Sequence, residues 1–173
     1  MEEGVDSIWH DGVAYLGEEL LWRTEKMLKR LETKTIGRNA PPAEEGEILT
    51  IGINHGVGCR GGKYAYEIRP NVKREQFLSL ERAGRIISNT TRLQAVEFND
   101  GSIGAVFHEA GSLGDFETDT PCVFILERDK IYLAEPTHLA EKMKIGFRGR
   151  SYSLDLPQGG QAGAAVIIPI NGK

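Results

Sequence analysis

The chain lacks the cysteine and histidine clusters from which many functional sites are built. Its 173 residues include two cysteines and four histidines. Cys59 and Cys122 stand too far apart for a CxxC redox motif or a zinc cluster, and the histidines share no HExxH-type spacing. We therefore expect neither a metal site nor a cofactor. The sequence leaves open whether the two cysteines are free thiols or form a disulfide.

An excess of basic charge and a long apolar segment are also lacking. The chain has 21 basic and 25 acidic residues, a formal net charge of -4, whereas a nucleic-acid binder needs a clustered basic face to neutralise phosphates. No segment reaches the roughly 18 apolar residues of a membrane span. Residues 1–6 have neither the positive nor the apolar region of a signal peptide. We expect no nucleic-acid partner, no membrane partner and no signal peptide in this chain.

One glycine-rich segment has the spacing of a phosphate-binding motif without its context. Residues 56–61 have the sequence Gly-Val-Gly-Cys-Arg-Gly, which matches GxGxxG. A dinucleotide site needs a helix after the glycines, so that the helix N-terminus faces the pyrophosphate, and here a strand pattern follows. Lys63 is followed by Tyr64 rather than by the Ser or Thr of a Walker A motif. The glycines are therefore expected to form tight turns.

What the sequence does contain is a series of short apolar runs separated by turn residues. Hydrophobic residues make up 40% of the chain, enough for a real core. The predicted strands are residues 13–16, 48–54, 64–69, 93–98, 103–108, 122–127, 130–134, 144–147, 151–156 and 164–170. Hairpin turns are expected at 99–102, which has the sequence Asn-Asp-Gly-Ser, and at 128–130. This pattern predicts a mostly antiparallel all-β protein.

Several motifs occur in the order typical of one enzyme family. Residues 51–56 alternate apolar residues and end in Asn-His-Gly, and residues 64–70 contain Tyr-x-Tyr and a proline. Residues 9–16 have the sequence Trp-His-Asp-Gly-Val-Ala-Tyr-Leu, and further strand motifs follow within 89–136. These residues closely resemble the family of hyaluronate, chondroitin and xanthan lyases, which cleave acidic polysaccharides by elimination. Residues 34–39 lie where that family has a Gly-x-x-x-Asn segment.

The resemblance implies a fold for this chain and a location for the catalytic residues of the family. It implies an antiparallel β-sandwich, with residues 1–84 as the end of the family's central supersandwich and residues 85–173 as its small carboxy-terminal sandwich. In the family the catalytic residues lie mainly on an amino-terminal helical toroid that this sequence does not include. We therefore assign no catalytic residue and leave open whether the chain is an enzyme. The implied partners are the α-toroid of a parent lyase and an acidic polysaccharide such as hyaluronan, chondroitin or xanthan, and the parent is expected to be extracellular or periplasmic.

Two segments have a possible helical character. The apolar residues of 19–31 fall on one face of a helix, with charged residues outside it. The resemblance implies a strand there instead, and both alternatives stay open. A short helical turn is expected at 74–83, after Pro70.

Four residues are candidate sugar contacts. Arg60 and Lys63 belong to a local basic patch that could hold carboxylates or sulfates. Tyr64 could stack on a sugar ring, although aromatic residues on strands more often belong to the core. His10 lies in the Trp-His-Asp-Gly motif. Besides a supporting or substrate-contacting role in a lyase, two other functions stay open: a stand-alone carbohydrate-binding module, and a structural or interaction domain.

Overall fold

The computed structural model describes residues 2–29 and 44–170. The chain divides into two compact units, Met1–Arg82 (unit 1) and Ala83–Lys173 (unit 2). The described elements are almost all antiparallel strands, which confirms the predicted all-β sandwich class. The identification of residues 1–84 and 85–173 with two lyase domains stays a prediction.

Unit 1 is built around one long strand, β2. Its elements are β1 (Glu2–His10), β2 (Val13–Lys29), β3 (Glu44–Ile53), β4 (Glu67–Arg69) and α1 (Arg74–Phe77). Strand β1 pairs along one edge of β2, while β3 and β4 pair with different parts of the other edge. The β1–β2 turn consists of Asp11 and Gly12, with φ angles of 45° and 78°. Two positive φ angles are what a two-residue type I′ hairpin turn requires.

The segment at residues 19–31 is a strand as far as Lys29, and residues 30 and 31 lie outside the described residues. Ten residues of β2 pair with β3, from Leu20 opposite Ile53 to Lys29 opposite Glu44. These pairings satisfy the backbone N–H and C=O groups on the facing edges of both strands, and they overrule the helical spacing because local preference is a weak determinant. The strand that the family resemblance implies is confirmed, and the helical alternative is wrong.

Two predicted elements are shorter than expected. The strand predicted over 64–69 is only Glu67–Arg69, because these are the residues that pair with β2. Tyr64 therefore lies on the loop before the strand. The helical turn predicted over 74–83 is α1, which covers Arg74–Phe77.

The core of unit 1 gathers at the β1–β2 hairpin. Ala14 and Leu16 of β2 are buried together with Val72. Trp9 of β1 packs against this cluster, and its indole Nε1 donates a 2.7 Å hydrogen bond to the carbonyl oxygen of Val72. Phe77 of α1 also packs on the cluster. The hairpin thereby anchors the segment that follows β4.

Unit 2 is a two-layer antiparallel sandwich. Its elements are β5 (Gly84–Asn89), β6 (Leu93–Phe98), β7 (Ile103–Phe107), β8 (Gly111–Leu113), β9 (Phe116–Thr118), β10 (Cys122–Glu127), β11 (Lys130–Ala134), β12 (Lys142–Phe147), β13 (Arg150–Asp155), a 3₁₀ turn (Gly159–Gln161) and β14 (Val166–Pro169). One sheet has six strands in the order β14-β11-β10-β7-β6-β5, and the other has four in the order β13-β12-β9-β8. The predictions for β6, β10 and β11 are confirmed residue for residue, whereas the sequence pattern does not predict β1, β5, β8 or β9.

Three phenylalanines hold the two sheets of unit 2 together. Phe116 of the four-stranded sheet stacks on Phe124 of the six-stranded sheet, with ring centroids 4.2 Å apart and planes at 11°. Phe107 lies 5.6 Å from Phe116. Each of the three side chains is 2% exposed. The aromatic cluster is therefore a fully buried contact between the layers.

The predicted hairpin turn at 99–102 connects β6 and β7, so the prediction is confirmed. The N–H of Gly101 donates a 2.9 Å hydrogen bond to the carbonyl of Phe98, and Gly101 has a φ angle of 82°. The carboxylate of Asp100 accepts hydrogen bonds from the N–H and the hydroxyl of Ser102 at 2.9 and 2.6 Å. This is a three-residue hairpin loop that ends in a left-handed glycine.

Candidate functional site

A groove on unit 1 lies where β3 ends and β4 begins. Its volume is about 470 Å³. The residues that line it are Tyr15, Leu20, Ile51, Gly52, Ile53, His55, Tyr64, Tyr66 and Ile68. Leu20 is 1% exposed, whereas Tyr64 and Tyr66 are 62% and 55% exposed. Leu20 therefore lies at the floor of the groove, and the rings of Tyr64 and Tyr66 lie at its exposed rim.

Three aromatic rings of the groove lie next to one another in the order His55, Tyr64, Tyr66. The centroids of Tyr64 and Tyr66 are 6.4 Å apart, and their planes differ by 14°. The imidazole of His55 lies 6.2 Å from the ring of Tyr64 at an angle of 43°. Tyrosines two positions apart on an extended segment point to the same side. Together the three rings make a continuous aromatic surface.

The glycine-rich loop at 54–66 places His55 beside this surface. Three of its glycines have φ angles between 71° and 75°, a region that favours glycine. The N–H of Gly56 donates a 2.9 Å hydrogen bond to Oδ1 of Asn54. Strand β4 follows the loop. The expectation that these glycines form tight turns ahead of a strand is therefore confirmed.

Gly62 allows a close approach inside the loop. A Cβ atom at this position would lie 2.9 Å from Sγ of Cys59 and 3.0 Å from Cγ of His55. Both side chains pack over the backbone of Gly62, so a larger residue would displace the imidazole from the groove. Cys59 and Cys122 are both free thiols, the first exposed and the second buried. The disulfide alternative is therefore wrong.

Of the four predicted sugar contacts, Tyr64 lines the groove. Arg60 and Lys63 are exposed on the same glycine-rich loop but do not line the groove. His10 ends β1, and its Nε2 lies 3.9 Å from Oε2 of Glu47. The structure thus places three of the predicted contacts outside the lining of the groove.

His55 and Tyr66 are groove residues that the sequence interpretation missed. The available signal was the Tyr-x-Tyr spacing of Tyr64 and Tyr66, but a predicted strand made core burial the simpler interpretation. Because residues 64–66 do not pair with β2, both tyrosine rings stay exposed. The position of His55 depends on the loop backbone, which periodicity does not predict.

Fewer basic side chains near the groove are available to a ligand than the sequence suggests. Arg69 forms an ion pair with Glu67, and its Nη2 donates a 3.0 Å hydrogen bond to the carbonyl of Glu81. Among the side chains that the structure describes, those of residues 4–26 and 46–170, no acidic one forms an ion pair with Arg60 or Lys63. The loop therefore carries two cations that are available to an acidic ligand.

The groove is suited to binding a ligand. Its lining contains one imidazole and three tyrosine side chains, and it contains no carboxylate, lysine or arginine. An apolar floor with parallel rings can take up the faces of sugar rings, while nearby cations attract acidic groups.

Among the described residues, no cluster of three or more His, Cys, Asp or Glu side chains could hold a metal ion. In the same part of the chain, no helix is long and apolar enough to cross a membrane.

A second, more open depression of about 820 Å³ lies on the outer face of the four-stranded sheet of unit 2. Its lining includes hydroxyl and charged side chains, among them Asp119 and Lys144. The backbone N–H of Lys144 donates a 2.9 Å hydrogen bond to Oδ1 of Asp119, and this bond holds the pKa of Asp119 below its ordinary value. The aromatic residue in the lining, Tyr152, packs against the core. This depression lacks a stacking surface, so the groove on unit 1 is the stronger candidate.

Sequence comparison matches part of unit 2 to a known domain. Residues 85–143 match the sequence profile described as polysaccharide lyase family 8, C-terminal beta-sandwich domain. Chondroitinase-AC of Pedobacter heparinus is 28% identical to this chain over 140 residues, which cover 71% of this chain and 20% of that enzyme.

Two solved structures share the fold. A variant of the Streptomyces coelicolor A3 chondroitin AC lyase matches with a TM-score of 0.62 at 18% identity, and the same lyase in complex with chondroitin sulphate matches with 0.58 at 20%. Each match covers 80% of this chain and 21% of the lyase chain. This chain thus spans about a fifth of the length of the relatives it matches. The resemblance to the carboxy-terminal β-region of the lyases, indicated by the sequence motifs, is confirmed.

Proposed function

We propose that this chain is the carboxy-terminal β-region of a polysaccharide lyase that cleaves a uronate-containing polymer by β-elimination, and that its groove contacts the polymer. The observation that carries the proposal is the stacked Tyr64–Tyr66 pair beside a cationic loop, in a chain similar to chondroitinase-AC. Chondroitin is the first polymer to test, because the matched structures are chondroitin AC lyases and one holds chondroitin sulphate.

The tyrosine rings supply the apolar part of the contact. The axial C–H bonds of a sugar form an apolar face that packs on an aromatic ring, and each ring of this kind contributes a few-fold to affinity. Tyr64 and Tyr66 lie nearly parallel and 6.4 Å apart, so the two rings can contact one continuous stretch of polymer. Neither ring needs to leave a buried position to do so, since both are more than half exposed.

The loop cations supply the charged part of the contact. Arg60 and Lys63 lie on the loop that leads into Tyr64. Uronate carboxylates and sulfates repeat along an acidic polysaccharide, so loop cations attract the polymer wherever it lies along the groove. Attraction between exposed charges is screened by salt, with a Debye length of about 8 Å at physiological ionic strength. This part of the affinity therefore falls as salt is added.

The elimination chemistry is assigned to the remainder of the parent enzyme. A base must remove the proton at C5, an acid must protonate the leaving glycosidic oxygen, and the uronate carboxylate must be neutralised to stabilise the enolate. The groove lining offers His55 and three tyrosines for proton transfer, but it has no lysine, arginine or amide side chain that could neutralise the uronate carboxylate. We therefore assign this region a supporting and substrate-contacting role, and we place the parent enzyme outside the cytoplasm, where a polymer of this size is accessible.

The test combines a binding titration with an elimination assay. The purified chain is titrated with chondroitin sulphate oligosaccharides, and the ultraviolet absorbance of the unsaturated uronide is followed in parallel. We expect binding without product. Tyr64→Ala should weaken binding about 3- to 10-fold, whereas Tyr64→Phe, the matched control, keeps the ring and should change affinity less than about twofold.

Each other outcome has a defined meaning. Product formed by the chain alone would overturn the assignment of the chemistry to the rest of the parent. Equal affinity of Tyr64→Ala and the unchanged chain would move the polymer contact away from the groove. Absence of binding to chondroitin, hyaluronan and xanthan alike would leave a purely structural or interaction role.

A stand-alone carbohydrate-binding module is the second candidate function. The observation that favours it is that every lining residue of the groove belongs to unit 1, so one compact unit of this chain forms the groove. A module of this kind would bind the polymer equally well in the presence and absence of a lyase body. A substrate contact within an enzyme would instead gain affinity when the lyase body is added.

A further inference from the structure

An irregularity in strand β2 opens the groove on unit 1. Val5 and Ser7 of β1 lie opposite Leu20 and Leu16 of β2, so β2 has more residues than β1 in this interval. Strand β4 pairs with β2 before the interval, and β3 pairs with β2 after it. Residues 17–19 pair with neither of these two strands, which leaves a gap at that edge of β2. The residues that line the groove come from both sides of this gap.

Gly17 allows Leu20 to form the floor of the groove. A Cβ atom at residue 17 would lie 2.6 Å from Cδ2 of Leu20 and 3.0 Å from its Cγ. The side chain of Leu20 therefore lies over the backbone of Gly17, in the space that another side chain would fill. Three isoleucines line the groove together with Leu20. Ile51 and Ile53 are half-buried, and Ile68 is 51% exposed. A ligand that enters the groove thus meets aliphatic carbon.

The polar side chains of the lining are phenols and an imidazole, namely Tyr15, Tyr64, Tyr66 and His55. Among the described residues that line the groove, none is a lysine, an arginine or a carboxylate. Phenols and a neutral imidazole both donate and accept hydrogen bonds, so they suit a neutral polar group. A charged group that leaves water without gaining an ionic partner loses far more free energy than a neutral group. The part of an acidic polymer that enters the groove is therefore an uncharged part.

The partners for anionic groups lie outside the lining. Arg60 and Lys63 are exposed on the loop that leads into Tyr64. In chondroitin and hyaluronan, uronate residues alternate with N-acetylhexosamine residues, so a charged group follows each acetamido group along the polymer. The uncharged groove beside a cationic loop matches this alternation.

An acetamido group has the two properties that the groove requires. It is uncharged, and its methyl is the one purely apolar substituent of a glycosaminoglycan, whose other substituents are hydroxyls and anionic groups. The methyl can pack on Leu20 and the isoleucines, while the amide N–H and C=O can form hydrogen bonds with the phenols or the imidazole. The groove volume of about 470 Å³ lies within the range of about 300–1,000 Å³ that small-molecule sites occupy.

We infer that the groove selects N-acetylhexosamine residues, with the acetamido methyl on the aliphatic floor and the neighbouring uronate outside, beside the loop cations. The inference rests on the proposed function and names the class of substrate. This class is an N-acetylated glycosaminoglycan, in preference to a uronate polymer without acetamido groups. The residues that determine the specificity are Leu20, Ile51, Ile53 and Ile68.

The first test varies the ligand and leaves the protein unchanged. The probes are two hexasaccharides of monosulfated chondroitin, one with N-acetyl groups and one with N-formyl groups, which lack only the methyl. Calorimetry measures both dissociation constants. We expect the N-formyl compound to bind about fourfold more weakly, the effect of one buried methyl. A galacturonate hexasaccharide, which has as many anionic groups and no acetamido group, should bind at least about fourfold more weakly as well.

The second test asks whether the methyl contact lies in the groove. Ile68→Ser removes an aliphatic side chain that is 51% exposed. This variant should reduce the preference for the N-acetyl over the N-formyl compound from about fourfold to about twofold or less. Ile167→Ser, the matched control, changes an isoleucine of unit 2 that is 56% exposed, and it should keep the full preference. The unfolding midpoint by circular dichroism shows whether each variant keeps the fold.

Three results would overturn the inference: equal binding of the N-acetyl and N-formyl compounds, an undiminished preference in Ile68→Ser, or equal affinity for the galacturonate hexasaccharide. These results are distinguishable from a failure of the proposed function. If Tyr64→Ala weakens binding while the N-formyl compound binds as well as the N-acetyl compound, the polymer contact stands and only the acetamido selection is rejected. If no hexasaccharide binds, the polymer contact is rejected and the selection with it.

Discussion

The buried carboxylate of Glu135 accepts hydrogen bonds from both the backbone N–H and the hydroxyl of Thr137, the first at 2.6 Å. Its other oxygen accepts hydrogen bonds from the N–H groups of Leu139 and Ala140 at 3.0 and 3.2 Å. Glu135 is 3% exposed and directly follows β11. One carboxylate therefore accepts hydrogen bonds from three residues of the loop that follows β11.

These contacts set the pKa of Glu135. Burial acts to raise the pKa, but the hydrogen bonds from Thr137, Ala140 and Leu139 outweigh burial and hold the pKa below its ordinary value of 4.5. A lowered pKa in the folded state means that the ionised form stabilises the fold. This stabilisation is fully present above the unfolded-state pKa and is lost as the pH falls through the folded-state pKa.

Glu135→Gln should destabilise the protein by about 1–3 kcal/mol at pH 7, because the amide places N–H donors against backbone N–H donors. The measurement is urea unfolding at pH 7 and at a series of lower values. We expect the difference between the variant and the unchanged protein to shrink once the pH falls below 4.5. Asp155→Asn is the control: its carboxylate is exposed, lies 3.3 Å from Lys142 Nζ, and should contribute less than about 0.5 kcal/mol. A pH-independent difference would contradict this account.

Phe124→Ala should cost about 3–5 kcal/mol, because it removes a ring that stacks 4.2 Å from Phe116 and leaves a cavity between the sheets. Denaturant unfolding monitored by circular dichroism measures the change. Phe98→Ala makes the same substitution at a side chain that is 39% exposed, and it should cost about 1 kcal/mol or less. If both variants lost equal stability, the stacked pair would not be the main contact between the layers.

The two thiols should differ in reactivity. Burial raises the pKa of Cys122 to about 11, against a smaller lowering effect of the Thr118 hydroxyl, and the side chain is 0% exposed. Cys59 is exposed. At pH 8 a thiol reagent should therefore modify one cysteine rapidly and the second only when the protein unfolds. Mass spectrometry of the Cys59→Ser variant, which should stay unlabelled in native buffer, identifies the protected residue; rapid labelling of that variant would be the contrary result.

Removing the loop cations should change how polymer binding depends on salt. If Arg60 and Lys63 attract acidic groups, Arg60→Gln/Lys63→Gln should weaken binding of chondroitin sulphate several-fold at low salt and flatten the salt dependence. Titrations at several salt concentrations measure the slope. Tyr64→Ala should lower affinity without changing the slope, because an uncharged ring releases no ions. Lys130→Gln/Lys144→Gln, which removes two exposed lysines of unit 2, is the charge-matched control, and an equal effect of this control would show that general charge accounts for the binding.

Much of unit 2 could be predicted from the sequence. Strands β6, β10 and β11 begin and end where apolar runs and turn residues place them, since their pattern and their pairing agree. Strands β8 and β9 have three residues each, too few to show a period. Strand β5 contains a register irregularity between Ile86 and Ser88, which breaks its alternation. The strands that were missed are those in which periodicity is short or interrupted.

The sequence predicted the secondary structure of unit 1 less well than that of unit 2. Residues 19–29 have helical spacing, but the partner strand β3 decides their conformation, and pairing between distant segments leaves no local trace. Of the candidate site, Tyr64 follows from residue type alone. Tyr64 lies beside His55 and Tyr66 because the glycines turn the loop and because residues 64–66 do not pair with β2.

Residue order by itself determined that this is an antiparallel β protein with lyase motifs, because alternation and turn chemistry act over a few neighbouring residues. Only the tertiary structure decided which side chains face outward together. Register across the six strands of one sheet places Ile86 and Ile167 in the same row, although they lie at opposite ends of unit 2. Such a row is a property of pairing between distant segments, which a linear pattern does not contain.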